Sequence, residues 1–253
     1  MTQREDLIQY LLRLGDSALI QGQRLCQWCG KAPALEEELA LMNVGLDLVG
    51  QARNWLDYAA ELLADGHDAD HLAFRRDERA YRNLLLVEQP NGDYAVTIVK
   101  QFLYDAWHFQ VLSALSASSD ERIAGIAAKA LKEVTYHLRR SGEWVERLGD
   151  GTEESHQRML AAIDQVWRFS GELVDGDEVE QRLAEAGIAA QPEAIASAWR
   201  AKVEKVFTRA TLPVPAAPNH FYLSGRRGVH SEHLGILLAE MQFLPRAYPD
   251  ATW

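Results

Sequence analysis

Residues 94–116 read YAVTIVKQFLYDAWHFQVLSALS, and this stretch decides the fold class. Its apolar side chains recur every three or four residues, which is the period of an α-helix, and it contains no proline. The same pattern occupies three other long segments, at residues 6–29, 35–65 and 120–148. The sequence therefore predicts four long helices.

The connections between these helices predict how they are arranged. A short loop around Pro33 joins the first helix to the second, and Ser118-Ser119-Asp120 joins the third to the fourth and offers an N-cap. Each pair should therefore run antiparallel. The second-to-third connection, residues 66–93, is long, and two hairpins joined by one long crossover form the ferritin-like arrangement.

Shorter helices are predicted further along the chain, near residues 153–174, 177–186, 192–209 and 231–247. No stretch is rich enough in linker residues to divide the chain. We therefore expect an all-α fold, a ferritin-like four-helix bundle with additional C-terminal helices. It should form a single domain over residues 1–253, with its bundle core at 6–148 and accessory helices at 153–247.

Composition narrows the functional class. The chain has 253 residues, 47% of them hydrophobic and 25% charged, which is typical of a folded globular protein. Its formal net charge of −11 argues against a nucleic-acid or anionic membrane surface. The N-terminus lacks the layout of a signal peptide, and no apolar run approaches the length of a membrane span. We expect a cytoplasmic protein.

Each of the four long helices carries an acidic residue near the level where a ferritin-like bundle holds two metal ions. These residues are Asp16, Asp47, Asp105 and Glu133. A complete di-metal site takes a Glu from each of two helices and a Glu-x-x-His from each of the other two. Asp47 is followed three residues later by Gly50, and Glu133 by Tyr136, so neither completes the motif.

Two interpretations of these positions stay open. In one, Asp105, His108, Glu133 and His137 form a degenerate site that still holds a metal. In the other, which the sequence favours, the same four groups form a buried salt-bridge and hydrogen-bond cluster with nearby cations, without any metal. The candidate cations are Arg24, Arg53, Lys100 and Lys132. On this interpretation the chain has no catalytic, cofactor-binding or metal-binding residue.

Histidine and cysteine pairs elsewhere suggest little chemistry. Glu153-x-x-His156 has no twin, Asp68-x-x-His71 is expected in a loop, and His230-x-x-His233 lacks further ligands. Cys26 and Cys29 form a Cys-x-x-Cys inside the first helix. No strand precedes this pair and it does not begin a helix, so we interpret it as two ordinary helix cysteines.

One small loop, residues 224–228, is basic because it contains Arg226 and Arg227. Such a loop can contact a phosphate or the acidic face of a partner. We interpret it as a solvated turn.

Long ungapped blocks resemble the C subunits of the bacterial ring-1,2-phenylacetyl-CoA epoxidases, which are multicomponent monooxygenases of phenylacetate breakdown. Two of the blocks are LMNVGLDLVGQARN at 41–54 and RDERAYRNLLLVEQPNGD at 76–93. The others are ALKEVTYHLR at 130–139, RLGDGTEE at 147–154 and HLGILLAEMQ at 233–242. Together they cover nearly the whole chain.

This resemblance implies a role in a larger complex. In that family the A subunit holds a di-iron site, activates oxygen and binds phenylacetyl-CoA. The C subunit shares the ferritin-like fold, lacks the iron ligands and pairs with A as a structural partner. A reductase with flavin and iron–sulfur centres supplies electrons from NADPH, and a small B subunit joins them. The alternative is a ferritin-like metal oxidase with its own degenerate di-metal site.

Overall fold

The computed structural model describes residues 2–216, 223–249 and 251. The α-helices in these residues are α1 (Gln3–Cys26), α2 (Leu35–Leu63), α3 (Ala69–Phe74), α4 (Leu85–Glu88), α5 (Tyr94–Leu115), α6 (Glu121–Gly149), α7 (Glu153–Trp167), α8 (Glu178–Glu185), α9 (Pro192–Arg209), α10 (Glu232–Met241) and α11 (Phe243–Ala247). The described residues contain no β-strand. The all-α prediction is confirmed.

The four long predicted helices are α1, α2, α5 and α6, and capping side chains explain where α5 and α6 begin. Asp93 caps α5 by accepting a hydrogen bond from the backbone of Val96. Asp120, the predicted N-cap of α6, accepts from the backbone of Ile123 at 3.0 Å. The first helix ends earlier than predicted, at Cys26, and the chain turns through residues 27–31.

The long crossover contains more helix than the sequence indicates. Asp68 accepts a hydrogen bond from the backbone N–H of His71 at 2.8 Å and so caps α3. The expectation that Asp68-x-x-His71 lies in a loop is therefore wrong, because its spacing is that of an N-cap. A 3₁₀ turn at Glu78–Ala80 and the short helix α4 follow.

The chain divides into two compact units, Met1–Pro90 with Leu223–Trp253, and Asn91–Tyr222. In the first unit, α1 and α2 pack against each other, and a glycine of one helix faces a glycine of the other. A Cβ atom built on Gly22 would lie 3.1 Å from the carbonyl oxygen of Gly45 and 3.3 Å from the side chain of Val49. The absence of side chains at Gly22 and Gly45 therefore permits this contact.

Helix α5 is the central helix of the second unit and packs against α6, α7 and α9. The rings of Phe102 and Phe207 lie 6.0 Å apart, and those of Trp167 and Trp199 5.7 Å apart. The indole N–H of Trp199 donates to the carbonyl oxygen of Leu103 at 2.9 Å. Trp167 and Trp199 thus fill part of the core of this unit, and Trp199 also donates a hydrogen bond to a buried backbone carbonyl.

One face of α2 leaves large apolar side chains in solvent. Leu35, Leu39, Leu46 and Val49 are between 41% and 67% exposed. Their spacings of four, seven and three residues place them along one stripe of the helix. We call these four residues the α2 stripe. Within the described part of the chain, no helix combines the length and apolar character that crossing a membrane requires.

Candidate functional site: the buried polar positions of the long helices

Asp16 lies fully buried on α1 and is paired with Arg76 from the segment after α3. One guanidinium nitrogen of Arg76 lies 3.0 Å from Oδ2 of Asp16, and a second donates to Oδ1. The backbone N–H of Arg82 donates to Oδ2 at 2.8 Å. Burial would lower the pKa of Arg76, but the Asp16 carboxylate outweighs burial and raises it. This carboxylate already has its counter-charge.

The cations that the sequence suggests as partners of the Asp105, His108, Glu133 and His137 group have the following contacts. Arg24 donates from Nε to the backbone carbonyl of Glu88 at 3.1 Å, and Lys100 donates to the side chain of Asn91 at 3.1 Å. Arg53 pairs with exposed Asp57 at 3.8 Å, and Lys132 is exposed. Arg76, from the crossover, is the cation that meets Asp16.

Asp105 is fully buried on α5, where each of its carboxylate oxygens accepts one side-chain hydrogen bond. The amide of Gln101 donates to Oδ1 at 2.5 Å, and the hydroxyl of Ser141 donates to Oδ2 at 2.8 Å. Burial raises the pKa of Asp105 to about 6, although nearby His137 and these hydrogen bonds act in the opposite direction.

His108 lies one turn beyond Asp105 and is also buried. Burial and, to a smaller extent, His137 lower the pKa of His108 to about 3, so its imidazole is neutral at physiological pH. Its Nδ1 has no hydrogen-bond partner among the described residues, and neither has the hydroxyl of Tyr104, whose ring lies 5.0 Å away. A neutral imidazole is the form that binds metals.

The remaining predicted positions do not extend this group into a metal site. Glu133 is half-buried, and Tyr136, three residues later, is 43% exposed. Asp47 is half-buried, and Gly50 faces open space. Across the residues that the structure describes, no group of three or more His, Cys, Asp and Glu side chains is arranged to hold a metal ion.

The six predicted positions are distributed over both units. Asp105, His108, Glu133 and His137 belong to the second unit, where the charge of His137 acts on the pKa of both Asp105 and His108. The two other carboxylates belong to the first unit, on α1 and α2.

A buried carboxylate that the sequence did not single out, Glu88, has four hydrogen-bond donors. They are the amide of Asn83 at 2.8 Å, the backbone N–H and the hydroxyl of Ser231, both at 2.7 Å, and Nδ1 of His230 at 2.8 Å. Nε2 of His230 lies 3.1 Å from the carbonyl oxygen of Tyr81. His230 therefore joins the Glu88 carboxylate to the backbone at Tyr81. No local motif could reveal this cluster, because Glu88 and His230 are 142 residues apart.

The other histidine pairs have structural partners. His233 lies 3.8 Å from its neighbour Glu232, whereas His230 contacts Glu88, so the two histidines of this pair have different carboxylate neighbours. In the Glu153-x-x-His156 pair, Nδ1 of His156 lies 2.6 Å from the carbonyl oxygen of Gly149 and so satisfies the end of α6.

The basic loop is packed rather than solvated at Arg226, so that interpretation is wrong for this residue. Arg226 is only 7% exposed, in a 3₁₀ turn at Gly225–Arg227. The turn lies directly against the backbone of Asn83, because a Cβ on Gly225 would sit 1.9 Å from the Asn83 carbonyl oxygen.

Both cysteines are free thiols. Cys26 is the last residue of α1, whereas Cys29 lies in the following turn and is exposed, so the expectation that both lie within the helix is wrong for Cys29. Burial and the neighbouring Cys29 raise the pKa of the Cys26 thiol. A raised pKa lowers the thiolate fraction at neutral pH and therefore the reactivity of this thiol.

An all-α chain with long helices that carry buried polar groups defines a ferritin-like helical protein, and the described residues contain no group of three or more side chains placed to hold a metal ion. The chain belongs to the family of phenylacetic acid catabolic proteins, which it matches over residues 1–253. This membership agrees with the ferritin-like fold and gives the chain a role in phenylacetate catabolism. It is 53% identical over 247 residues, 98% of the chain and 99% of the relative, to the C subunit of 1,2-phenylacetyl-CoA epoxidase from Escherichia coli K12.

Proposed function

We propose that this chain is the non-catalytic structural subunit of a multicomponent 1,2-phenylacetyl-CoA epoxidase. It pairs with the di-iron catalytic A subunit in the cytoplasm and stabilises it. The similarity to the C subunit of the E. coli enzyme over almost the whole chain carries this proposal. In this scheme the chain itself takes part in oxygen chemistry only by supporting its partner.

The ligand positions support a non-catalytic role. Gly50 and Tyr136 stand where a di-metal bundle needs histidines, and both are exposed rather than directed into a buried site. Asp16 is already neutralised by Arg76. A metal would have to displace that guanidinium from a buried carboxylate, at a cost of several kcal/mol.

The α2 stripe supports the pairing. Four large apolar side chains along one helix face form the kind of surface that another helix covers, and covering them removes apolar area from water. A bundle that packs there would brace the ligand-bearing helices of the catalytic subunit, whose chemistry depends on ligand positions being held within fractions of an ångström.

The cofactors then belong to the other components. We place the di-iron site in the A subunit, and flavin, iron–sulfur centres and NADPH in the reductase. The set of partners is completed by the small B subunit. None of these groups is assigned to the residues of this chain.

Co-expression of the chain with the catalytic subunit tests the proposal. We expect the two to copurify, with iron present only in proportion to the catalytic subunit, and we expect that subunit to lose solubility or activity when expressed alone. A catalytic subunit that is fully soluble and active without this chain would overturn the proposed role.

One observation favours a second candidate, a ferritin-like oxidase with a degenerate metal site. Asp105, His108 and His137 are buried together, and His108 keeps an unpartnered nitrogen among the residues that the structure describes. Metal counting on the chain purified alone separates the two functions. Stoichiometric iron or manganese that is lost in Asp105→Asn, but retained in the exposed control His67→Gln, would favour the oxidase.

A further inference from the structure

A concave basic patch lies in the second unit, where α6 and α9 pack together. It encloses a cavity of about 300 Å³ whose rim carries four cationic side chains. They are Arg139 from α6 and Lys202, Lys205 and Arg209 from α9. The apolar side chains of Leu138 and Val206 also line it. We call the four cations with this cavity the α6–α9 basic pocket.

The charges of the pocket are only partly balanced by the chain. Arg209 lies 3.6 Å from Glu146, and the other lining carboxylate, Glu143, lies 3.9 Å from Arg147. Within the described residues, Lys202 and Lys205 form no ion pair. The pocket therefore holds an excess of positive charge.

The cations also act on one another. Lys202 is half-buried, and burial, followed by the charges of Lys205 and Arg209, lowers the pKa of its ammonium group, although Glu146 acts in the opposite direction. Neighbouring like charges destabilise each other, and an anion bound among them relieves this repulsion. The clustering is notable in a chain whose formal net charge is −11, because acidic residues outnumber Lys and Arg by 37 to 26.

We propose that the α6–α9 basic pocket binds a phosphate-bearing anion. Its volume lies at the lower end of the range for small-molecule sites and suits a diphosphate group. The oxygens of one diphosphate can accept hydrogen bonds from several cations at once. The carboxylates of an acidic protein surface are spread over separate side chains and fit a concave site less well. Leu138 and Val206 offer an apolar surface to an organic group attached to the phosphate.

This binding site is independent of the proposed structural role, because its residues lie outside both the Asp105 group and the α2 stripe. Its test therefore needs only the full-length chain. Titration with pyrophosphate, followed by calorimetry and by NMR amide shifts, measures affinity and location together. ADP serves as a second probe that carries an organic group.

We expect saturable pyrophosphate binding that weakens as salt is raised, with shifts confined to α6 and α9. Lys202→Gln/Lys205→Gln should weaken it at least about tenfold. The control Lys31→Gln/Lys129→Gln removes the same charge at exposed positions and should leave binding unchanged. Lys205→Gln alone, at an exposed position, provides a second variant if the half-buried Lys202 is needed for folding.

Three results would overturn the proposal. The first is no pyrophosphate binding by the wild-type chain at about 0.1 M salt. The second is equal weakening in the pocket variant and in the control. The third is binding of a hexaglutamate peptide at the pocket without binding of pyrophosphate or ADP, which would identify the patch as a protein-docking face.

Discussion

Asp16 and Arg76 show how this fold carries charge in its interior. The carboxylate is fully buried, and its side-chain partner comes from a different element, so the pair joins α1 to the crossover. A buried pair contributes little net stability while intact, but removing one partner leaves an uncompensated charge. The first unit should therefore be sensitive to the loss of either residue.

Replacing Arg76 tests this. We expect Arg76→Met to lower the free energy of unfolding by about 3–5 kcal/mol, because Asp16 would stay buried without a counter-charge. Arg53→Met, which breaks the exposed pair with Asp57, should cost no more than about 1 kcal/mol. Urea denaturation of both variants measures the difference. If Asp16→Leu/Arg76→Met is no more stable than Arg76→Met, the buried charge is not the cause.

Asp105 gives the second unit a dependence on pH. Its pKa is raised to about 6, so its protonated form is favoured in the folded chain. The stability that this group contributes is complete below its unfolded pKa of about 4 and is lost as the pH rises through about 6. Asp105→Asn removes the titration. We expect its stability relative to the wild type to improve by on the order of 2–3 kcal/mol between pH 4 and pH 8.

Denaturant titration of wild type and Asp105→Asn at several pH values provides the measurement. The same comparison in a His137→Gln background controls for the neighbouring imidazole, which acts on this carboxyl. A stability difference that stays constant between pH 4 and pH 8 would show that Asp105 does not titrate in this window.

At the scale of the elements, the contact between α1 and α2 depends on glycine. Gly22→Leu would place a side chain against the backbone of Gly45, so the helices must separate or strain. We expect a loss of about 1–3 kcal/mol in unfolding free energy, as for overpacked cores. Gly125→Leu is the matched control, because Gly125 lies in α6 with open space around it and leucine is the better helix former. Equal effects in thermal denaturation would contradict the close approach.

Long periodic segments were predictable as helices because their burial repeats along the sequence. The short helix α3 was missed although its N-cap, Asp68, is local, whereas α4 is held by a distant group. Glu88 ends α4 and is bound by Ser231, which no window of neighbouring residues includes. The end of α1 was placed three residues too late, since the periodic pattern continues into the turn that contains Cys29.

At the scale of the whole molecule, the α2 stripe is the feature that a partner should cover. Leu39→Glu/Leu46→Glu places two charges in it, and we expect the variant to fold but to lose copurification with the catalytic subunit by at least about tenfold. Ala128→Glu/Ala161→Glu adds the same charge at exposed helix positions and should pair normally. Undiminished pairing of the stripe variant would place the contact on another surface.

Part of the candidate site could be predicted from the sequence, because, as for the long helices, the pattern that reveals it is local. The missing histidines at Gly50 and Tyr136 are visible in the sequence, because ligand spacing within one helix is local. The partner of Asp16 was not visible there, since Arg76 reaches it from 60 residues away. A buried charge is neutralised by residues that are close to it in the folded structure, and these need not be close to it in the sequence.

The connectivity of the chain also sets the order in which its two units can be completed during synthesis on the ribosome. The first unit is assembled from both ends of the chain, with the second unit inserted between them. Glu88 emerges 142 residues before His230, which at about 5–20 residues per second is a delay of roughly 7–30 s. Through that interval Glu88 lacks the hydrogen-bond donors of His230 and Ser231, and the residues of the second unit are synthesised before the C-terminal helices that complete the first.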